Sequence, residues 1–153
     1  MPGTPEALTV SPADSILGFD FGSRLIGVAI GNRLSGVRAL TTVSNGGNGP
    51  DWAHLDALVA DWRPPMLVVG LPLTLEGGEQ PTSRAAREFA AMLEERYGMP
   101  VRLIDERHTS SEAAQRFAAR RAQGHARRKD AAAIDAIAAE IILETWFTQA
   151  PDA

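Results

Sequence analysis

The sequence predicts an α/β domain built on a mixed sheet of five strands, the first three antiparallel, with helices on both faces. Three observations lead there. Residues 15 to 43 hold three apolar segments of strand length separated only by short turns. Two further short apolar segments, 66 to 69 and 101 to 104, each follow a stretch with helical spacing. Consecutive strands with tight turns pair antiparallel, whereas strands that alternate with helices pair in parallel through crossovers.

Taken in order, residues 15 to 20 and 24 to 31 read as two strands joined by a tight turn at Gly22-Ser23, and Val37 to Val43 as a third after Ser35-Gly36. The stretch SNGGNGP, 44 to 50, is a loop by composition. From Asp51 to Trp62 the apolar residues Trp52, Leu55, Leu58, Val59 and Trp62 recur at helical spacing, and Pro64-Pro65 ends that helix. Met66 to Val69 is a wholly apolar strand, covered on both faces. After the loop LTLEGGEQ, Pro81 opens a helix that runs to Tyr97 and stops at Gly98. Val101 to Ile104 is the fifth strand. Thr109 to about Arg121 is helical, Gly124 breaks it, and a last helix runs from Asp130, its N-cap, to Phe147.

The 153 residues suit one domain, expected over 15 to 148, between a disordered leader (1 to 14) and a short tail (149 to 153). The leader has neither the basic nor the apolar region of a signal peptide, and no apolar run approaches the roughly 20 residues of a membrane span. A cytoplasmic protein that does not associate with membranes is the expectation. With no cysteine, disulfides and thiolate metal sites are excluded. A net charge of −4 is not the footprint of a bulk polyanion binder. Basic residues nevertheless cluster in one acid-free segment: Arg116, Arg120, Arg121, Arg127, Arg128 and Lys129. Two readings fit it, a contact with phosphates or a solvated helix end whose cations suit the helix dipole.

Three carboxylates stand in apolar settings. In GFDFGS, Leu17, Phe19 and Phe21 share one face of the first strand, and Asp20 lies on the other with Gly18 and Gly22. In VRLIDERHTSS, Asp105 and Glu106 take opposite faces, so one of them can join Asp20 at the carboxyl edge of the sheet. In DAAAIDAIAAEIILETWF, Ala131, Ile134, Ala138, Ile141, Ile142 and Trp146 form the apolar stripe. Asp135 falls inside that stripe, and Glu140 and Glu144 fall outside it. A strand-end Asp is commonly a turn former, and Asp105 or Glu106 can pair with Arg102 or Arg107. An acid on a packing face, by contrast, needs compensation. Two carboxylates about 4 Å apart repel by roughly 4 kcal/mol at an effective dielectric near 20, so a cluster of three must hold protons or a cation. All-oxygen donors favour Mg²⁺ or Mn²⁺, and a pair of such ions can serve phosphodiester hydrolysis.

The blocks GFDFGSRLIGVAIGN, VVGLPLTLEGGEQPTSRAAREFA, LIDERHTSSEA and DAIAAEIILETWF, in that order, resemble the YqgF (RuvX) family of Holliday-junction-resolvase-like proteins. The resemblance implies a ribonuclease H-like fold and a Mg²⁺- or Mn²⁺-dependent nuclease that trims precursor 16S rRNA in ribosome biogenesis. Asp20, Glu106 and Asp135 match its catalytic, metal-binding acids, and Asp105 is the lesser candidate. Gly70-Leu71-Pro72 matches a turn that shapes the site. Arg107 and Thr109 match the DERxT block and would orient Glu106 or touch phosphate, joined by Arg120, Arg121, Arg127, Arg128 and Lys129 on nucleic acid. His108 holds a variable position, and Ser110 replaces a usual threonine. Resolvases proper often carry an acid at the end of the fourth strand, where this chain has Gly70-Leu71-Pro72. Structured RNA or DNA and ribosomal particles are the implied partners, and the chain is expected as a monomer or weak homodimer.

Two other functions fit parts of the sequence. An RNA- or ribosome-associated factor could bind without cutting, through the basic segment, the loops at 44 to 50 and 73 to 81, and the helix start near Pro81. An Asp followed by glycines in a first hairpin also resembles the phosphate-binding hairpin of actin-like ATPases and sugar kinases. Those folds close two such domains around a nucleotide, and this chain has length for one.

Overall fold

The computed structural model describes residues 13–106, 109–123 and 133–149. The strands are β1 (Ile16–Phe21), β2 (Leu25–Asn32), β3 (Gly36–Gly46), β4 (Gly49–Pro50), β5 (Leu67–Leu71) and β6 (Val101–Asp105). The helices are α1 (Trp52–Trp62), α2 (Pro81–Tyr97), α3 (Thr109–Ala122) and α4 (Ala133–Gln149). The sheet order is β4-β3-β2-β1-β5-β6. The pairs β1–β2, β2–β3 and β3–β4 are antiparallel, and β1–β5 and β5–β6 are parallel. The sheet therefore has six strands and not five. Residues 44 to 50, expected as a loop, extend β3 and turn at Gly47-Asn48, so that Asn45 and Gly46 pair with Pro50 and Gly49. Gly49 takes φ +87°, which a residue with a side chain seldom adopts.

Helices cover both faces, as the order of elements predicts. On one face, α1 and α2 bury Leu55, Leu58, Ala86, Phe89, Ala90 and Leu93 against Leu17, Phe19, Ile26, Val28, Leu67 and Val69. Phe89 stands edge-on to Phe19 (5.8 Å between centroids) and tilted on Phe21 (4.6 Å), which adds about 0.5–1.5 kcal/mol per pair to the area buried. Asp51 caps α1 by accepting the His54 N–H, and α2 runs from Pro81 to a left-handed Gly98. The Ser83 hydroxyl, fully buried, accepts the Gln80 N–H and donates to the Pro72 carbonyl, which stitches the first turn of α2 to the end of β5.

Among the described residues, the other face is covered by α4, and α3 packs against α4. The α4 residues Ala139, Ile142 and Leu143 meet Ile16, Ala29, Val68 and Ile104 of the sheet. Ile137, Ala138 and Ile141 meet Ala113 and Phe117 of α3. Every residue from Ala136 to Leu143 is buried, Glu140 included. The sequence expectation of one apolar stripe with Glu140 outside it is thus corrected. A helix between a sheet and a second helix is covered on two sides and keeps no broad polar face.

The sheet receives α4 closely because small residues line its path. A Cβ on Gly18 would lie 3.0 Å from Leu143 Cβ, and one on Gly27 would lie 1.8 Å from the backbone oxygen of Asp135. Gly27→Ala should therefore lift the N-terminal turn of α4 and cost about 3 kcal/mol, at the upper end of overpacking because the obstacle is backbone. Gly46→Ala, where an added Cβ meets nothing within 4 Å, should change stability by less than about 0.5 kcal/mol. Urea unfolding midpoints of the two variants check the contrast.

Candidate active site

Asp20 sits near the end of β1, on the face away from Phe19 and Phe21, as the alternation predicts. Its partner across the β1–β2 ladder is Gly27. The missing side chain at Gly27 is what admits the backbone of Asp135, so the first turns of α4 descend onto the sheet beside Asp20. The turn after Asp20 is held as well. Asn45, a buried polar residue at the end of β3, donates its side-chain amide to the Gly22 carbonyl (2.6 Å) and its backbone N–H to the Arg24 carbonyl (2.8 Å).

Glu106 follows the last residue of β6 and extends the parallel ladder by one bond, from its N–H to the Leu71 carbonyl (3.1 Å). Its carboxylate folds back over Gly70. A Cβ on Gly70 would lie 2.7 Å from Glu106 Oε1 and 2.4 Å from Ile142 Cδ1. The absence of a side chain at the end of β5 is thus matched by a carboxylate from the neighbouring strand in the same space. Asp105, on the opposite face, is exposed, which separates the two acids that the sequence left as alternatives.

Electrostatics ties the three carboxylates to one another. Burial, and then the charge of Asp135, push the Asp20 carboxyl up to about 6. Burial, then the charges of Asp20 and Asp105, push Glu106 up to about 8. Burial raises Asp135. Asp20 is the shared member, since it couples to an acid on α4 and to an acid beyond β6. No cation among the described residues contributes to these shifts. Among the described residues, no three acidic or histidine side chains close into a ready-made metal cage. The donor chemistry nonetheless fits a hard divalent cation: three oxygen donors whose mutual repulsion a positive ion would relieve.

The remaining candidates fall elsewhere. Arg120 on α3 pairs with Glu140 of α4 (2.9 Å), and Arg116 pairs with Glu140 (2.5 Å), Glu144 (3.2 Å) and Glu112 (3.4 Å). The first part of the basic segment is therefore engaged within the fold. Arg107, His108, Arg127, Arg128, Lys129 and Asp130 lie outside the described residues, as do the side chains of Thr109, Ser110 and Arg121. Sequence reasoning missed Gly27 and Glu140. A glycine seven residues after Asp20, across a tight turn, signalled the first. Nothing in the period of α4 signalled the second.

A family model described as RuvX, Holliday junction resolvase, matches residues 14–149. A protein of Xanthomonas axonopodis pv. citri named "Putative pre-16S rRNA nuclease" is 54% identical over 149 residues, covering 97% of this chain and 96% of the relative. A protein of the same name from Xanthomonas euvesicatoria pv. vesicatoria is 53% identical over the same shares. Among solved structures, T. thermophilus RuvC in complex with Holliday junction substrate aligns with TM-score 0.51 at 17% identity, over 89% of this chain and 96% of that one. That likeness establishes the fold as RuvC-like.

Both Asp20 and Glu106 hold protons more tightly in the folded chain than in the unfolded one, where carboxyls titrate near 4. Their contribution to the stability of the metal-free protein should therefore be full below about pH 4 and be lost as pH rises from there through about 6 for Asp20 and about 8 for Glu106. Asp20→Asn removes one of these groups and relieves Glu106. It should raise the metal-free unfolding free energy by about 2 kcal/mol at pH 8 and by much less at pH 4. Urea titrations of both proteins in EDTA at the two pH values measure the difference.

Proposed function

The chain belongs to the RuvX family, and on that premise we propose that it is a divalent-metal-dependent nuclease that hydrolyses phosphodiester bonds of structured RNA and processes precursor 16S rRNA in the cytoplasm. The observation that carries the reading is the convergence of three partly buried acids, with Asp135 seated over Gly27 opposite Asp20 and Glu106 folded over Gly70, and with Asp20 coupled to both of the others. The names of relatives more than half identical to this chain support the substrate.

In this reading Asp20, Glu106 and Asp135 hold Mg²⁺ or Mn²⁺. The ion, when bound, supplies Lewis-acid polarisation of the phosphoryl group and a water of lowered pKa. The chain's own part is positional. The β1 ladder and the Asn45 brace hold Asp20 at a fixed point of the sheet edge. Asp135 enters from above because Gly27 has no side chain, and Glu106 enters from the side because Gly70 has none. Glu106, raised to about 8, must give up its proton as it takes up a ligand role, so ion binding and activity should rise with pH. The basic residues Arg127, Arg128 and Lys129, with Arg107 and Thr109, would contact phosphates and set the register of the strand without reading its sequence.

Asp20→Asn and Asp135→Asn should each lower Mn²⁺- or Mg²⁺-dependent cleavage of a precursor 16S rRNA fragment by more than about 100-fold, since even outer-shell changes cost 10–100-fold at metal sites. Cleavage that survives both substitutions would place the chemistry elsewhere. A wild type that binds the fragment and never cuts it would leave a binding factor. Arg127→Ala with Arg128→Ala should weaken binding of that fragment and reduce the slope of log K against log salt by about 1 per lost phosphate contact. An unchanged slope removes both arginines from the interface.

A further inference from the structure

Glu140 is the buried charged residue of the described chain, 3% exposed, and the site described above does not use it. Its Oε2 accepts from Arg116 Nη1 (2.5 Å) and Arg120 Nη2 (2.9 Å), and its Oε1 accepts the Ala39 backbone N–H (2.9 Å). Ala39 borders a bulge. Ala29 pairs with Ala39 and Val28 with Thr41, which leaves Leu40 of β3 unmatched. A bulge disrupts the ladder locally, and here a carboxylate from α4 takes the adjacent N–H in a charge-assisted bond. One side chain thus joins the edge of the sheet, α3 and α4.

A buried ion pair is poor evidence for stability, because apolar residues of similar volume often serve as well. Its directional bonds do something apolar packing does not. The α3–α4 contact is made by Ala113, Ala138, Ile137, Ile141 and Phe117, and non-directional packing of this kind tolerates small sliding and rotation. On its sheet side α4 is held by Ile142 and Leu143 among Ile16, Val68 and Ile104, which is packing of the same non-directional kind. The bonds of Glu140 to β3 and to two turns of α3 fix both. Asp135 lies five residues before Glu140 on α4, and α3 begins three residues after Glu106.

We propose that Glu140 is a positioning residue, which sets the register of α4 against the β3 bulge and of α3 against α4, and through them the separations of Asp135 and Glu106 from Asp20. Its expected effect on ion binding rests on the nuclease reading; its effect on geometry does not.

The test compares wild type, Glu140→Gln, Arg120→Gln and Leu93→Ala. Glutamine at 140 keeps the shape and an acceptor for Ala39 but removes the charge between the arginines. Leu93→Ala destabilises α2 on the opposite face of the sheet and serves as the control for stability alone. Mn²⁺ affinity is measured by calorimetry on each, and metal-free crystal structures give the carboxylate separations. Glu140→Gln should change the Asp20–Asp135 or Asp20–Glu106 separation by about 1 Å or more and weaken Mn²⁺ binding about tenfold, while Leu93→Ala changes neither. Arg120→Gln discriminates further. Through the long-range field alone, loss of a positive charge would tighten Mn²⁺ binding, whereas loss of positioning weakens it. Unchanged separations in Glu140→Gln, or tighter Mn²⁺ binding in Arg120→Gln, overturn the proposal. If Glu140→Gln does not fold, Arg120→Gln decides by the same two measurements. If the wild type binds no Mn²⁺, the nuclease reading fails and the crystallographic separations still decide the positioning role.

Discussion

The close seating of α4 on the sheet is the constraint from which the rest of the structure follows. A helix can approach a strand so nearly only where the strand lacks a side chain, and at Gly27 the approach is to the Asp135 backbone itself. That contact brings an acid from the last helix to an acid on the first strand, across more than a hundred residues of chain. Gly70 repeats the device on the other side of β1, where Glu106 and Ile142 share the space that a side chain would fill. Both glycines lie on the same face as Asp20, and both are positions where an ordinary residue would push a carboxylate away. Here the site is built from what the sheet leaves out as much as from what it carries.

Opposing forces meet at this point. Burial raises all three acids, and neighbouring carboxylates raise Asp20 and Glu106 further, so the metal-free fold carries a local electrostatic cost. The opposite face is arranged without such conflict: Phe19, Phe21 and Phe89 interlock, Arg96 forms a two-pronged bond to Asp56, and the Ser83 hydroxyl is satisfied on both sides. A strand anchored firmly from one face can present a destabilising group on the other. This is the physical sense of an acid set between two phenylalanines.

In the sequence, six cations form one acid-free run that fits either a contact with phosphates or a solvated helix end. The fold divides them, because Arg116 and Arg120 face Glu140, Glu144 and Glu112, which are near in space and, apart from Glu112, distant in sequence. Linear charge patterning sees neighbours along the chain, and neutralisation across a helix–helix contact is invisible to it. The expected solvent position of Glu140 failed for the same reason, since the period of one helix does not tell how many partners will cover it.

Local physics settled much from the sequence alone. The period of two in GFDFGS placed Asp20 opposite the phenylalanines, and Pro81 and Gly98 bounded α2. The alternation of apolar strands with helices determined a mixed sheet covered on both faces. These depend on a few adjacent residues and on the geometry of one strand or helix. Tertiary structure decided what depends on two elements meeting: the sixth strand formed by Gly49-Pro50 against the end of β3, the choice of Glu106 over Asp105 as the inward acid, the descent of Asp135 onto Gly27, and the burial of Glu140. A carboxylate's surroundings are set by whatever packs against it, and for these residues the packing partners lie on other elements of the fold.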